Sequence, residues 1–123
     1  MILVDTSIWI DHLRASDERM TRLLLAGQVL AHPFVIGELA LGKLRNRDVV
    51  LDALQDMPQA AVASEPEVLR CIETRGLFGS GIGYIDAHLL AAVLLTAGSS
   101  LWTRDKRLLA TSAQLGIAAN ATH

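Results

Sequence analysis

Short apolar runs alternate along the chain with longer stretches in which apolar residues recur every three or four positions. The short runs end at polar residues or glycine, as buried strands of a parallel sheet do. They predict strands over residues 2–5, 29–31 and 101–103, with weaker candidates at 60–63 and 117–118. The longer stretches predict helices over residues 6–14, 17–26, 33–44, 48–57, 64–75, 84–97 and 106–115. This alternation predicts an α/β sandwich, with helices packed around a mostly parallel central sheet.

Local signals mark several helix boundaries. Thr6 or Ser7 is a candidate N-cap for the first helix. Pro33 suits a first helical turn because it lacks only an N–H that is unpaired there. Ser64 is the predicted N-cap of the fifth helix. The helix over 84–97 is apolar on nearly all sides, so we expect it to be the central, most buried helix.

Composition is typical of one folded domain. The chain has 123 residues, of which 51% are apolar, enough for one core in a single domain over residues 1–123. Its longest apolar run, residues 89–95, is too short to cross a bilayer, so we expect no membrane partner. The N-terminus lacks the features of a secretory signal, and the one cysteine cannot form an internal disulfide. These features predict a reducing, cytoplasmic location.

The net charge of −2 argues weakly against a nucleic-acid partner. It does not exclude one, because acids that gather around a metal ion are neutralised by that ion. Setting aside four of the 13 acids leaves nine against 11 basic residues, which is a mildly basic remainder.

Two acids directly follow predicted strands. Asp5 ends the first strand, and Asp105 follows the strand over 101–103. The carboxyl ends of strands face the ligand crevice in open α/β sheets, so both acids are candidate site residues. For each of them the alternative is an N-cap on the helix that follows, and the sequence does not decide between the two.

Two further acids lie within apolar helices. Glu38 shares a predicted helix face with Val35 and Leu41, where a carboxylate has to be paired, protonated or bound to a cation. Asp86 begins the most apolar helix, and its alternative role is a favourable first-turn interaction with the helix dipole. Four acids in one crevice would repel one another unless cations were present. Oxygen ligands without Cys or paired His favour Mg²⁺ or Mn²⁺, which bind phosphates.

Four ordered stretches carry a family resemblance. They are ILVDTSIWI at the N-terminus, VIGELALG around Glu38, GIGYIDAHLLA around Asp86 and LWTRDKRL around Asp105. In their order and spacing they resemble the PIN domain, and specifically the VapC toxins of bacterial toxin–antitoxin pairs. The resemblance implies a three-layer α/β/α sandwich with a short-stranded sheet. It also implies a Mg²⁺- or Mn²⁺-dependent endoribonuclease toxin that cuts transfer or ribosomal RNA, a VapB-type antitoxin partner and a homodimer.

The resemblance also assigns roles to individual residues. The family's acidic quartet, which is both catalytic and metal-binding, is matched by Asp5, Glu38, Asp86 and Asp105. Its supporting hydroxyl residues are matched by Thr103 beside the last acid and by Thr6 and Ser7 beside the first.

Basic residues around the last acid and after the first and third helices are candidates for contacts with RNA phosphates. They are Arg104, Lys106, Arg107, Arg14, Lys43, Arg45 and Arg47. For each of them the competing interpretation is a solvated surface position.

Two other functional hypotheses remain open from the residues alone. One is a phosphatase-type hydrolase with Asp5 as nucleophile, although that chemistry normally needs a second acid where Ser7 stands. The other is a non-catalytic module that binds proteins, of the phospho-receiver type. A receiver pairs acids near its N-terminus and carries a late lysine at a strand end, whereas Lys106 follows its strand only after an intervening Arg and Asp.

Other signals point to structure rather than chemistry. The glycine-rich segment 79–83 lacks the Gly-Lys-Ser/Thr of a phosphate-binding loop and predicts a flexible connection. We expect His88 to be a packed, hydrogen-bonded histidine. Trp9 and Trp102 adjoin strand residues and are expected in the core.

Overall fold

The computed structural model describes residues 1–119, and these contain three strands and seven helices. The strands are β1 (Ile2–Val4), β2 (Val29–Leu30) and β3 (Ser100–Trp102). The helices are α1 (Thr6–Arg14), α2 (Glu18–Leu25), α3 (Pro33–Leu41), α4 (Arg47–Asp56), α5 (Glu65–Thr74), α6 (Tyr84–Leu95) and α7 (Lys106–Gln114). They form the predicted three-layer α/β/α sandwich. Residues 120–123, which the predicted domain includes, lie outside the described part.

The central sheet is parallel, in the order β2-β1-β3. Leu3 of β1 pairs with Leu30 on one side and with Leu101 on the other. Isolated parallel bridges, Ala31 to Gln59 and Leu101 to Ala118, extend the pairing at each edge. The short-stranded, parallel sheet is therefore confirmed.

The two weaker strand predictions are wrong as extended strands. Near 60–63 only the preceding residue, Gln59, forms a bridge, and at 117–118 the bridge is confined to Ala118. The N–H of Ala61 donates to Oγ1 of Thr96 at 2.9 Å instead of continuing the ladder. A side chain at the end of α6 thus ends the pairing, and the local apolar pattern carries no sign of it.

Most predicted helix starts are confirmed, with one exception. Pro33 occupies the first turn of α3, and Ser64 is the N-cap of α5. Asp5, rather than Thr6 or Ser7, holds the N-cap position of α1. The helix therefore begins immediately after the strand, which brings both hydroxyl residues into its first turn.

Two helices end earlier than predicted. Helix α3 stops at Leu41 because Gly42 takes an extended conformation, with ψ at 176°. Helix α6 stops at Leu95, where the extended backbone of Thr96 follows. The Thr96 hydroxyl donates back to the carbonyl of Ala92 at 2.7 Å, which satisfies one of the last carbonyls of the helix.

The core surrounds the sheet, and α6 contributes the largest share of its buried helix residues. Every residue of α6 from 87 to 93 is buried, which confirms it as the most buried helix. Trp9 and Trp102 are both buried, as predicted. Across residues 1–119, no helix combines the length and the hydrophobicity that a membrane crossing needs.

The register of the sheet decides where the polar residues emerge. Val4 pairs with Trp102, so the residues that follow them, Asp5 and Thr103, leave the sheet side by side at its carboxyl edge. The N–H of Asp5 donates to the carbonyl of Trp102 at 3.0 Å, which keeps the two chain segments in contact where they leave the sheet.

Candidate active site

Asp5 is held by two hydroxyl groups at the carboxyl edge of the sheet. Thr103 Oγ1 donates to Asp5 Oδ2 at 2.7 Å, and Ser7 Oγ donates to the same oxygen at 2.9 Å. Both Asp5 and Thr103 are buried. Within residues 1–119 no hydrogen bond reaches Oδ1, so this oxygen remains available to another group.

This geometry decides between the two roles considered for Asp5. The residue holds the N-cap position of α1, yet its side chain makes no capping hydrogen bond. Its carboxylate is oriented by Thr103 and Ser7 instead, so the capping role is excluded and Asp5 remains a candidate site residue.

Asp105 takes the capping role and remains a candidate site residue. Its Oδ1 accepts the N–H of Leu108 at 2.9 Å, so the residue does cap α7. Its own N–H donates to Thr103 Oγ1 at 3.1 Å, which ties it to the residue that holds Asp5. A cap occupies one carboxylate oxygen, and the second oxygen of this exposed side chain is left for other contacts.

Glu38 reaches the same cleft from α3, but the prediction that it lies on an apolar helix face with Leu41 is wrong. Leu41, assigned to the same apolar face, is 91% exposed, and Glu38 is exposed as well. This edge of α3 lies near the end of the helix and faces outward, so Glu38 needs no buried counterion. Thr6 Oγ1 donates to Glu38 Oε1 at 2.7 Å, which joins α1 to α3. Thr6 therefore supports the second acid rather than the first.

Asp86 stands in the first turn of α6, half-buried beside the other acids. Its Oδ2 accepts the N–H of Gly83 in a long contact of 3.4 Å, as the helix-terminus interpretation required. Burial raises the pKa of Asp86, and repulsion from Asp5, Asp105 and Glu38 raises it further. The other three carboxylates thus each lie within electrostatic range of Asp86.

The chemistry of this donor set fits a hydrated divalent cation. In residues 1–119, no three His, Cys, Asp or Glu side chains come close enough together to hold an ion directly. Mg²⁺ keeps several of its waters and needs only one or two direct carboxylates. Repulsion among carboxylates without a compensating cation is itself the condition that a bound ion relieves.

The basic residues fall into two groups. Arg104 pairs with Asp11 and Asp17, and the Arg47 guanidinium donates to the carbonyl of Ala40 at 2.7 Å, so both guanidinium groups are engaged. Arg107 donates to the carbonyl of Gly81 in a long contact of 3.4 Å. An RNA contact by Arg104 competes with two ion pairs, which the sequence did not reveal.

A groove of about 400 Å³ opens beside Glu38. Its walls include the apolar side chains of Ile10 and Leu13 and the basic residues Arg14, Lys43 and Arg45. Three of the predicted phosphate contacts therefore lie together, on the α3 side of the cleft. Lys106 stands apart from them, exposed in the first turn of α7.

Sequence reasoning missed the acids that surround Arg104. Asp11 lies in α1, and Asp17 directly precedes α2. Asp17 does cap α2, through the N–H of Met20 at 2.9 Å, but its other oxygen accepts from Arg104. Because 87 residues separate Asp17 from Arg104, no local pattern indicates the pair.

His88 is packed as predicted, but the expected hydrogen bond is absent. It is 4% exposed, and its ring lies 4.6 Å from those of Phe34 and Tyr84, centre to centre. Its buried Nδ1 has no partner within residues 1–119. Aromatic packing, not polar pairing, therefore holds this side chain.

Comparison with known proteins finds relatives over nearly the whole chain. The PIN domain family matches residues 2–114, a span that includes all four acids. Two curated relatives, each named Ribonuclease VapC32, come from two strains of Mycobacterium tuberculosis. Each is 53% identical over 118 residues, which covers 96% of this chain and 95% of the relative.

Proposed function

The chain belongs to the PIN-domain family and is a VapC-type ribonuclease, and on that premise we propose a metal-dependent endoribonuclease toxin that a VapB-type antitoxin neutralises. The observation that carries the metal dependence is the environment of Asp86. Burial raises the pKa of its half-buried carboxylate, and repulsion from the three other acids raises it further. A divalent cation is the partner that such a group of charges requires.

Mg²⁺ or Mn²⁺ would be held by Asp5, Glu38, Asp86 and Asp105, directly or through water. Asp5 offers Oδ1, and Asp105 offers the oxygen that does not cap α7. The ion supplies the chemistry of a hydrolytic metal centre, which is to lower the pKa of a water and to neutralise charge on the scissile phosphate. The products of such hydrolysis carry 5′-phosphate and 3′-hydroxyl ends.

Three hydroxyl residues orient the carboxylates of Asp5 and Glu38. Ser7 and Thr103 both donate to Asp5 and so fix the orientation of its carboxylate. Thr6 does the same for Glu38. The acids are thereby oriented before any ligand arrives, so less reorganisation is needed when the substrate binds.

The basic residues on both sides of the cleft are suited to an RNA backbone. Arg14, Lys43 and Arg45 line the groove beside Glu38, and Lys106 and Arg107 lie in the first turn of α7, next to Asp105. A phosphodiester chain laid across the acids would meet cations before and after the scissile bond. We propose transfer or ribosomal RNA as substrate, which places the action in the cytoplasm.

We also propose a homodimer and an antitoxin that covers the acidic cleft. An antitoxin with a basic side chain would satisfy the same charges as the metal ion and so exclude it. Co-purification with the adjacent small gene product tests this part, and a protein that never retains that product contradicts it.

Cleavage of RNA by the purified protein tests the proposed activity. We expect cutting with Mg²⁺ or Mn²⁺, none with a chelator, and none from Asp5→Asn or Asp86→Asn variants that remain folded. Asp52→Asn is the matched control, because Asp52 is an exposed acid of α4. Cleavage that survives in both cleft variants would contradict the proposal. A trapped phospho-aspartate on Asp5 would instead support the phosphatase hypothesis.

Sequencing of RNA ends after induced expression would identify the substrate. It would also test for the 5′-phosphate and 3′-hydroxyl ends expected of a metal-dependent cut.

A further inference from the structure

Arg104 links the cleft to helices α1 and α2 through its side chain. Its guanidinium pairs with Asp11 of α1 through Nη1 and with Asp17, the N-cap of α2, through Nη2 at 3.1 Å. The three side chains are between 25% and 47% exposed, so the pairs lie at the surface but are partly sheltered. The N–H of Met20 lowers the pKa of Asp17, and Arg104 lowers it further, so Asp17 stays charged at neutral pH.

The backbone of the same residue reaches the acid cluster. The Arg104 N–H donates to Ser7 Oγ at 3.2 Å, and that hydroxyl donates to Asp5. On either side of Arg104, Thr103 donates to Asp5 and Asp105 donates to Thr103. Each residue of the segment 103–105 therefore makes a hydrogen bond in one network around Asp5.

This segment lies between β3 and α7 and belongs to neither. The sheet fixes its beginning and the helix fixes its end, so the middle depends on side-chain contacts. Besides the hydrogen bonds to Asp5 and Ser7, the Arg104 ion pairs hold this segment against the corner between α1 and α2.

We propose that Arg104 is a positioning residue, whose ion pairs with Asp11 and Asp17 fix the segment that orients Asp5 and Asp105. The pairs also hold the guanidinium away from the acids, where it would take the place of a metal ion. This inference rests on the proposed metal-dependent function. It assigns to Arg104 a role different from the RNA contact expected from its position in a basic run.

The two roles predict opposite effects for the partners of Arg104. If Arg104 positions the segment, Asp11→Asn has the same effect as Arg104→Met, because each breaks the same pair. If Arg104 binds RNA, Asp11→Asn releases it and strengthens RNA binding, whereas Arg104→Met weakens RNA binding. Exposed ion pairs contribute little to folding stability, so these variants are expected to remain folded.

Calorimetric titration of Mn²⁺ into the full chain, without RNA, separates the roles. We expect Arg104→Met and Asp11→Asn each to weaken Mn²⁺ binding by about 10-fold, the loss typical of residues that orient metal ligands. The KM for RNA at saturating Mn²⁺ should stay at the wild-type value. Lys106→Met is the matched control, since Lys106 neighbours Asp105 and takes no part in the network; its Mn²⁺ affinity should be unchanged.

The other possible results distinguish a failure of the positioning role from a failure of the proposed metal dependence. Unchanged Mn²⁺ affinity in Arg104→Met, with a raised KM for RNA, overturns the positioning role and leaves the proposed function standing. Wild-type protein that binds no Mn²⁺ overturns the metal dependence itself, and the positioning role with it. If circular dichroism shows Arg104→Met to be unfolded, Asp11→Asn and Asp17→Asn decide the question, because asparagine keeps the shape of both side chains and the cap of α2.

Discussion

Thr103 donates its hydroxyl hydrogen to Oδ2 of Asp5 at 2.7 Å, across 98 positions of sequence. Both residues are buried, and each directly follows a strand of the sheet. The bond therefore joins the carboxyl ends of β1 and β3. The pairing of these two strands thus also fixes the orientation of the Asp5 carboxylate. Substitution of Thr103 is expected to affect both.

We predict that Thr103→Val lowers both stability and cleavage. Valine keeps the shape but removes the donor, which costs about 1.5 to 3 kcal/mol for a bond to a charged acceptor. Cleavage should fall by about 10- to 100-fold, as when other residues that orient metal ligands are removed. Urea denaturation and RNA cleavage rates measure the two effects.

Thr111→Val provides the control for this substitution. Thr111 is also buried, but its hydroxyl donates to the carbonyl of Arg107 within α7, away from Asp5. Its cleavage rate should equal that of the wild type. A Thr103→Val protein with wild-type cleavage would show that Ser7 alone suffices to orient Asp5.

The parts of this site that follow from strand register were predictable. Buried parallel strands end at one edge of the sheet, so Asp5 and Asp105 were expected together. The apolar run around Asp86 likewise predicted a buried helix, and α6 is the most buried helix in residues 1–119. In each case a local pattern and the topology of an α/β fold required the same placement.

The parts that depend on tertiary contacts were not predictable. The face that carries Glu38 was expected inside because Leu41 was counted as an inward residue, yet α3 ends at Leu41 and leaves it exposed. The pairing of Arg104 with Asp11 and Asp17 depends on the turn between α1 and α2. Spacing along the chain carries no information about that turn.

We predict that Asp86→Asn abolishes cleavage and stabilises the ion-free protein. The folded pKa of Asp86 is raised above its ordinary value of 3.8, so the charged form is disfavoured in the fold. The carboxyl group of Asp86 therefore makes its full contribution to folding stability below pH 3.8. This contribution is lost as pH rises through the folded pKa. At neutral pH the charge costs stability, and asparagine removes this cost. Cleavage should fall by more than about 100-fold, beyond the loss expected for a supporting residue.

Thermal unfolding at pH 7 with a chelator measures the stability change. Asp86→Asn should melt above the wild type, while the exposed control Asp52→Asn should melt close to it. Added Mn²⁺ should raise the melting temperature of the wild type more than that of Asp86→Asn. An ion stabilises the fold only when it binds, and the variant lacks one of the proposed ligands. A variant that melts below the wild type with chelator present would contradict the repulsion argued for the cleft.

We predict that the protein loses stability as pH falls from 6.5 to about 4, in part through His32. Burial, together with the nearby His88, lowers the pKa of His32 to about 4. The unfolded chain takes up the proton near 6.5, before the folded chain does. His32 therefore makes its full contribution to the free energy of unfolding above pH 6.5. Below pH 6.5 this contribution decreases by up to about 1.4 kcal/mol per pH unit.

His32→Asn tests the source of this loss. His32 Nδ1 accepts the N–H of Phe34 at 3.0 Å, and asparagine is a good replacement at a helix N-cap. The variant should show a flatter dependence of unfolding free energy on pH between 6.5 and 4, whatever its stability at pH 7. Parallel curves for variant and wild type, measured by urea denaturation, would assign the loss to other groups.

We predict that Gly81→Ala weakens RNA binding, whereas Gly79→Ala does not. Both glycines have positive φ, +84° and +75°, so alanine costs each about 1 kcal/mol of stability. A Cβ at Gly81 would lie 2.9 Å from Cδ of Arg107, whereas a Cβ at Gly79 meets nothing within 4 Å. The flexible Arg107 side chain must shift in Gly81→Ala alone, which removes a candidate phosphate contact beside Asp105. The KM for RNA should rise for Gly81→Ala and stay at the wild-type value for Gly79→Ala, so equal values in both variants would remove Arg107 from the RNA path.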